Sequence, residues 1–187
     1  SYVVGDGTNA ELTSLGGPWS QAPIVDNTGV RFVNEYCHSL NYPSLIYRHA
    51  APYYCIYGSD REDYAAILAN NVDDPAVTSA DTLEELADKL GFDKQAFLDC
   101  IAVYNAAKDT GVDAAFGARV DFMNFVTVGP FYAVQIAPQY TGTIGGVVTD
   151  TSAQVLRADG TVIGGLYAAK PPTARCTIWS TCPVRLS

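Results

Sequence analysis

The spacing of apolar residues changes twice along this chain and divides it into three regions. Between Pro23 and Tyr57 the apolar residues fall in short β-prone runs. Pro23-Ile24-Val25 and Val30-Arg31-Phe32-Val33 predict two short strands around Asp26-Asn27-Thr28-Gly29, because Asn and Gly accept the positive φ of a tight hairpin. Tyr53–Tyr57 predicts a core strand, ended by Gly58-Ser59-Asp60. From Asp60 onward the period turns helical. Glu62 and Asp63 open a segment through Leu68 and sit where a helix N-terminus favours negative charge. Thr82 and Glu85 have the capping-box form ahead of Leu83, Leu86, Ala87 and Leu90, and Gly91 stops that helix. Asp93 caps a longer amphipathic helix that carries Phe97, Ile101 and Tyr104, with Gly111 beyond its end. From Phe131 the pattern returns to strands: Phe131–Ile136, Gly146–Thr149, Gln154–Leu156 and Val162–Ile163, the last two joined at Asp159-Gly160. Strands, a helical block, then strands predict an α+β fold, a small mixed or antiparallel sheet packed with helices. Residues 1–22 are Gly- and Ser-rich with little periodicity, and the chain has no internal repeat.

Composition narrows the classes. The 187 residues are 48% hydrophobic and 17% charged, which suits one packed domain, or one domain plus a fragment, rather than disorder. The net charge of −9 and the scatter of the 11 basic residues argue against a nucleic-acid or anionic-membrane surface. There is no apolar run long enough for a bilayer-spanning helix, and the first residues lack the basic and apolar stretches of a signal peptide, so the compartment stays open. The five cysteines contain no CxxC pair, which argues against a disulfide framework. Cys37, His38, His49 and Cys55 match no familiar zinc-ligand spacing, so no metal is expected and the thiols read as small buried residues.

The candidate chemistry gathers late in the chain. Thr143-Ile144-Gly145-Gly146 feeds a strand ending at Asp150, and Gly164-Gly165-Leu166-Tyr167-Ala168-Ala169 follows. This pair of segments resembles the place where flavoproteins of the fumarate reductase and 3-ketosteroid dehydrogenase type return from a substrate-capping domain to an FAD domain. Further segments are similar to that superfamily in the same order: Ile24–Glu35, Thr82–Ala87, Ile101–Asn105, Asp113–Gly117 and Gly129–Val134. Together they cover about residues 24–169.

The resemblance implies an FAD enzyme in which the cap closes over the flavin, excludes water and holds a small-molecule substrate with an activated double bond for hydride transfer to or from N5. It places Gly145, Gly146, Ala168 and Ala169 toward the cofactor in the whole enzyme. It also implies this division: 1–22, remnant of the FAD-domain side or linker; 23–137, the cap; 138–169, return strands; 170–187, a tail. No G-x-G-x-x-G is present, so the FAD-binding domain is an expected missing partner. The chain alone is expected to bind no FAD and to be inactive.

The departures redirect the substrate. Ser39 stands where fumarate reductases carry an arginine, and Gly142 where they carry a histidine, so fumarate is not the expected substrate. His38 and Ser39, with Tyr140 and Thr143, are the candidate catalytic positions, His38 as a proton donor. Tyr140-Thr141-Gly142-Thr143 fits a neutral, apolar or phenolic substrate. The alternative is a free-standing binding or docking module that keeps the cap fold without flavin. Arg31 and Glu35, four apart, read as a surface or hairpin-anchoring ion pair worth about 1 kcal/mol or less.

From Lys170 the character changes: Lys170, Arg175 and Arg185 appear without any acid, where the family continues Gly-Glu. Read one base out of register, codons allowed for Ala168 to Ser187 can spell Gly-Glu-Ala, two free positions, then Gly-Ala-Leu-Tyr-Asn-Leu-Glu-Tyr-Leu-Ser-Gly-Ser. The hypothesis is a shifted reading frame beyond Ala169, with a divergent basic tail as the alternative. An unbroken frame through Lys170 in the genomic sequence would remove it.

Overall fold

The computed structural model describes residues 2–5, 7–15, 22–35, 48–138 and 147–168. They belong to two units, Ser1–Tyr140 and Thr141–Ser187. The first contains β1 (Tyr2–Val4), α1 (Ala10–Ser14), β2 (Ile24–Val25), β3 (Tyr53–Tyr57), α2 (Glu62–Asn70), β4 (Val77–Ala80), α3 (Leu83–Leu90), α4 (Lys94–Thr110) and β5 (Phe131–Pro138). The second contains β6 (Gln154–Leu156) and β7 (Val162–Tyr167).

Local chemistry sets the helix ends. The Thr82 hydroxyl accepts the Glu85 N–H at 3.1 Å, while the Glu85 carboxylate reaches back to the Asp81 N–H at 3.2 Å. This is the expected capping box displaced by one residue. Asp93 accepts the Ala96 N–H at 3.0 Å, and Gly91 and Gly111 close α3 and α4 at φ +70° and +71°. Asp60 does not cap α2. Its carboxylate takes the Thr127 and Val128 N–H groups at 2.8 and 3.0 Å and the Thr127 hydroxyl, tying the end of β3 to the approach of β5.

The sheet is antiparallel throughout and turns on β5. One edge of β5 pairs with β3 (Tyr53 opposite Ile136 through Tyr57 opposite Tyr132), and β3 pairs with β2. The other edge carries two strands end to end: β4 opposite Phe131–Val134, and β1 opposite Ile136–Pro138. Gln135 passes between them, donating to the Ala76 carbonyl and accepting from the Gly5 N–H, both at 2.8 Å. β1 and the α1 region are therefore built into the same sheet and core as β2, β3, β4 and β5. The edge of β5 beyond Val134 has its backbone groups satisfied by β1.

Period-two alternation distributes the core to both faces. Tyr53, Cys55 and Tyr57 with Tyr132, Val134 and Ile136 pack against Leu12 and Leu15 of the α1 region and Tyr64 and Leu68 of α2. Ile56 and Ala133 pack against Leu86 and Ala87 of α3, Phe92, and Phe97 and Ile101 of α4. A third cluster joins Tyr104 and Ala107 to Ala118 and Met123. Among the described residues no helix is long and apolar enough to cross a membrane.

In the second unit β6 and β7 form a hairpin around Asp159-Gly160, with Gly160 at φ +85°. β7 runs to Tyr167, beyond the predicted Ile163, whereas the predicted strand ending at Thr149 is a single bridge, Thr149 to Val155. Val155 is buried, yet Val147, Val148, Val162, Leu166 and Tyr167 stand 40–64% exposed.

Candidate functional site

Arg31 is the meeting point of the first hairpin, α4 and the loop after α4. The Asp26–Val30 turn brings the chain back so that Arg31 bridges Val25, and the Arg31 N–H donates to Cys100 Sγ of α4 at 3.2 Å. The guanidinium then serves two carboxylates. Nε and Nη2 donate to Glu35 Oε1 and Oε2 at 2.8 and 2.7 Å. Nη1 and Nη2 donate to Asp113 Oδ1 and Oδ2 at 2.9 Å each. Its Cζ lies 4.8 Å from the ring centroids of both Tyr104 and Phe116, a stacking that guanidinium favours.

Each acceptor is anchored a second time. Glu35 Oε1 takes the Ile24 N–H at 3.0 Å, and Asp113 takes the Ala115 and Ala118 N–H groups at 3.2 and 3.0 Å. Asn34 donates to the Phe116 carbonyl at 3.1 Å. The surface reading of the Arg31–Glu35 pair is corrected: the two side chains are 2% and 1% exposed, and the pair is a buried triad with Asp113. The planar fork explains this, since its donors can satisfy two carboxylates at once.

Burial works against every charge in the cluster, and the outcomes differ. At Glu35 it pushes the carboxyl above its ordinary range, against the opposing pull of Arg31 and the Ile24 N–H. At Asp113 burial also acts upward, but the Arg31 fork and the backbone donors outweigh it and hold the carboxyl below its ordinary range. Arg31 is raised further from losing its proton, because the two carboxylates outweigh its desolvation. The Tyr104 phenol is pushed well up by burial and then by Glu35. A cluster paired in this way anchors chain segments.

A second pairing lies on the same hairpin. His49 Nδ1 is 3.2 Å from Asp26 Oδ2, its ring stacks on Phe32 at 4.2 Å, and its carbonyl accepts the Tyr53 hydroxyl at 2.7 Å. Asp26 also takes the N–H and hydroxyl of Thr28 at 2.9 and 2.6 Å. Burial acts upward on its carboxyl, but Thr28 and His49 outweigh it and hold it below the ordinary range.

The candidate positions fall unevenly on the described residues. His38, Ser39, Tyr140, Thr143, Gly145, Gly146 and Ala169 lie outside them. Ala168 is described, partly exposed, and its N–H donates to the Ala153 carbonyl at 2.9 Å. Cys55 is buried in β3 while His49 pairs with Asp26, so those two members of the cysteine–histidine set are apart in role; among the described residues no three His, Cys, Asp or Glu gather as a metal site. Asp113 is the residue that pattern reading missed as a partner. It was visible only as part of the Asp113–Gly117 motif, and nothing local joins it to Arg31, 82 residues earlier.

Every described strand pair is antiparallel, and none supplies the parallel βαβ unit whose Gly turn and helix N-terminus cradle a dinucleotide.

Comparison with known proteins gives a consistent picture. The family described as FAD binding domain matches residues 13–169. NADH:acrylate oxidoreductase of Vibrio harveyi is 36% identical over 173 residues, covering 87% of this chain and 16% of that protein. Vinyl phenol reductase of Lactiplantibacillus plantarum is 34% identical over 113 residues, covering 60% of this chain and 22% of that protein. The structure of the open conformation of a flavocytochrome c3 fumarate reductase aligns with a TM-score of 0.63 at 25% identity, covering 89% of this chain and 30% of that one. Curated relatives also include fumarate reductases and 3-oxosteroid 1-dehydrogenases. The chain spans less than a third of each of these proteins. By the extent of the family match, this chain belongs to the FAD binding domain family and corresponds to a portion of the fumarate reductase and 3-oxosteroid dehydrogenase group of oxidoreductases.

Proposed function

We propose that this chain is the substrate-capping part of an FAD-dependent oxidoreductase that reduces or forms an activated C=C bond. The observation that carries the reading is the pairing of two unlike units. The first is a two-faced antiparallel domain anchored internally by Arg31. The second, a hairpin with the segment before it, leaves five large apolar side chains 40–64% exposed, as expected of a surface that packs on a further domain. The FAD-binding domain is the missing partner, and redox chemistry belongs to the flavin it would carry. Gly145, Gly146, Ala168 and Ala169 would face that cofactor in the whole enzyme, and His38 would supply the proton.

Ser39 and Gly142 stand in place of the arginine and histidine expected for a dicarboxylate, so the substrate is a neutral, apolar or phenolic molecule with an activated double bond rather than fumarate. The names acrylate and vinyl phenol among the relatives support an unsaturated substrate of small size. The family match ends at residue 169, which supports reading Lys170–Ser187 as out of frame.

The test is a flavin absorbance titration of the purified chain. No FAD uptake alone is the expected result, with FAD uptake once the FAD-binding domain is added and, after reduction of that flavin by dithionite, return of its absorbance on addition of an alkene substrate. Stoichiometric FAD binding by the chain alone sinks the reading. The alternative, a free-standing binding module, needs an enclosed apolar pocket; the groove where Val72, Pro130 and Tyr132 meet Asp81, Glu85 and Lys89 is open and mixes apolar with charged side chains.

A further inference from the structure

We propose that residues 111–118 form a strap latched onto Arg31, and that opening this strap and loosening the hairpin exit at Glu35 are one coupled event. The strap has a hinge near each end. Gly111 and Gly117 adopt φ +71° and +64°, and a Cβ at either would meet nothing within 4 Å. Between them Asp113 is 2% exposed, while Val112 and Phe116 are 62% and 38% exposed. The strap is also internally tied, through the Asp113 carboxylate to Ala115 and Ala118 and from the Gly117 N–H to the Asp113 carbonyl at 2.9 Å. It is therefore built to move as one body about its glycines.

What holds it down runs through the Arg31 guanidinium and, beside Glu35, through Asn34, which donates to the Phe116 carbonyl at 3.1 Å. Arg31 binds the strap through Asp113 and stacks under Phe116, while the other side of the same fork binds Glu35. Glu35 in turn holds the Ile24 N–H at 3.0 Å. Ile24 and Gly117 do not share a hydrogen-bond partner, yet each depends on a carboxylate or carbonyl positioned by Arg31. Losing the strap frees half of the fork and exposes the remainder to water, which weakens the hold on Glu35. Loosening Glu35 lets the fork turn away from Asp113. Coupling through a shared partner acts equally in both directions.

Amide hydrogen exchange on the full chain tests this with two reporters. Asp113→Asn should speed exchange at Ile24 at least tenfold, and Glu35→Gln should speed exchange at Gly117 by a similar factor. The amides of Ala133 and Val134 in β5 should stay within twofold of wild type. If Ile24 is unmoved by Asp113→Asn, or Gly117 by Glu35→Gln, the strap and the hairpin are independent and the proposal fails. It fails equally if the β5 amides accelerate in step, because the effect is then general loosening. Should either variant not fold, Phe116→Ala takes its place: both reporters rise together if the latch exists, and Gly117 alone rises if it does not.

Discussion

Replacing Arg31 with methionine keeps most of the side-chain volume and removes every donor from the triad. Glu35 and Asp113 are then left as buried carboxylates whose remaining partners include the Ile24, Ala115 and Ala118 N–H groups. Removing one partner of a buried pair costs roughly 3–5 kcal/mol, against about 0–1 kcal/mol for an exposed pair. Side-chain exposures of 2% or less for all three residues decide between these ranges. With an m-value of about 2 kcal/mol/M, the urea midpoint followed by far-UV circular dichroism should fall by roughly 1.5–2.5 M at neutral pH.

The pH dependence gives a second check on the same variant. In the wild type the Asp113 carboxyl is held below its ordinary range, so its contribution is present at neutral pH and is lost as pH falls through the aspartate range, about 3.9 and below. Glu35, raised by burial, contributes in the opposite sense. Without Arg31, burial acts on both carboxyls unopposed by any cation and raises them. Raised groups favour the folded state at low pH, so the deficit of Arg31→Met should shrink on acidification. A loss under about 1 kcal/mol at neutral pH, or a deficit that does not change with pH, refutes the reasoning.

Other substitutions probe different links. Gly29→Ala should destabilise by roughly 2 kcal/mol or more in the same urea assay, since φ is +86° and a Cβ would lie 2.7 Å from Phe92 Cγ. Thr82→Ala should cost about 1 kcal/mol through the lost cap on α3, and Thr82→Asp should recover most of it. Ala153→Gly should stabilise the β6–β7 hairpin, because Ala153 sits at φ +62°. Relief of roughly 1–2 kcal/mol of left-handed strain exceeds the roughly 0.4–1 kcal/mol of added unfolded-chain entropy. Slower exchange of the Ala168 amide, which donates to the Ala153 carbonyl, is the readout.

How much of this was legible in the sequence depended on the range of the interactions. α3 and α4 follow from Thr82, Gly91, Asp93 and Gly111, each acting on its immediate neighbours. β3 follows from five consecutive β-prone residues, all but one of them buried. β4 was not visible: Val77 and Ala80 are buried but Thr78 and Ser79 between them are only partly so, and four such residues carry no alternation. β1 was hidden for a related reason, since three residues become a strand only because β5 offers an edge. The tie between Arg31 and Asp113 had no local signal, whereas Arg31 and Glu35 were readable from their spacing; burial, not spacing, changed what that pair does.

The central place of β5 bears on how the chain assembles during synthesis. Three of the other four strands of the sheet pair with Phe131–Pro138, which leaves the ribosome after all of them. Until that segment emerges, β1 and β4 have no template, and α1 and α2 have no finished surface to settle on. Closing loops of this length is entropically slow. A nascent chain should therefore stay protease-sensitive until β5 clears the exit tunnel and then acquire resistance in a single step, with the α3–α4 and β2–β3 pairs free to form early.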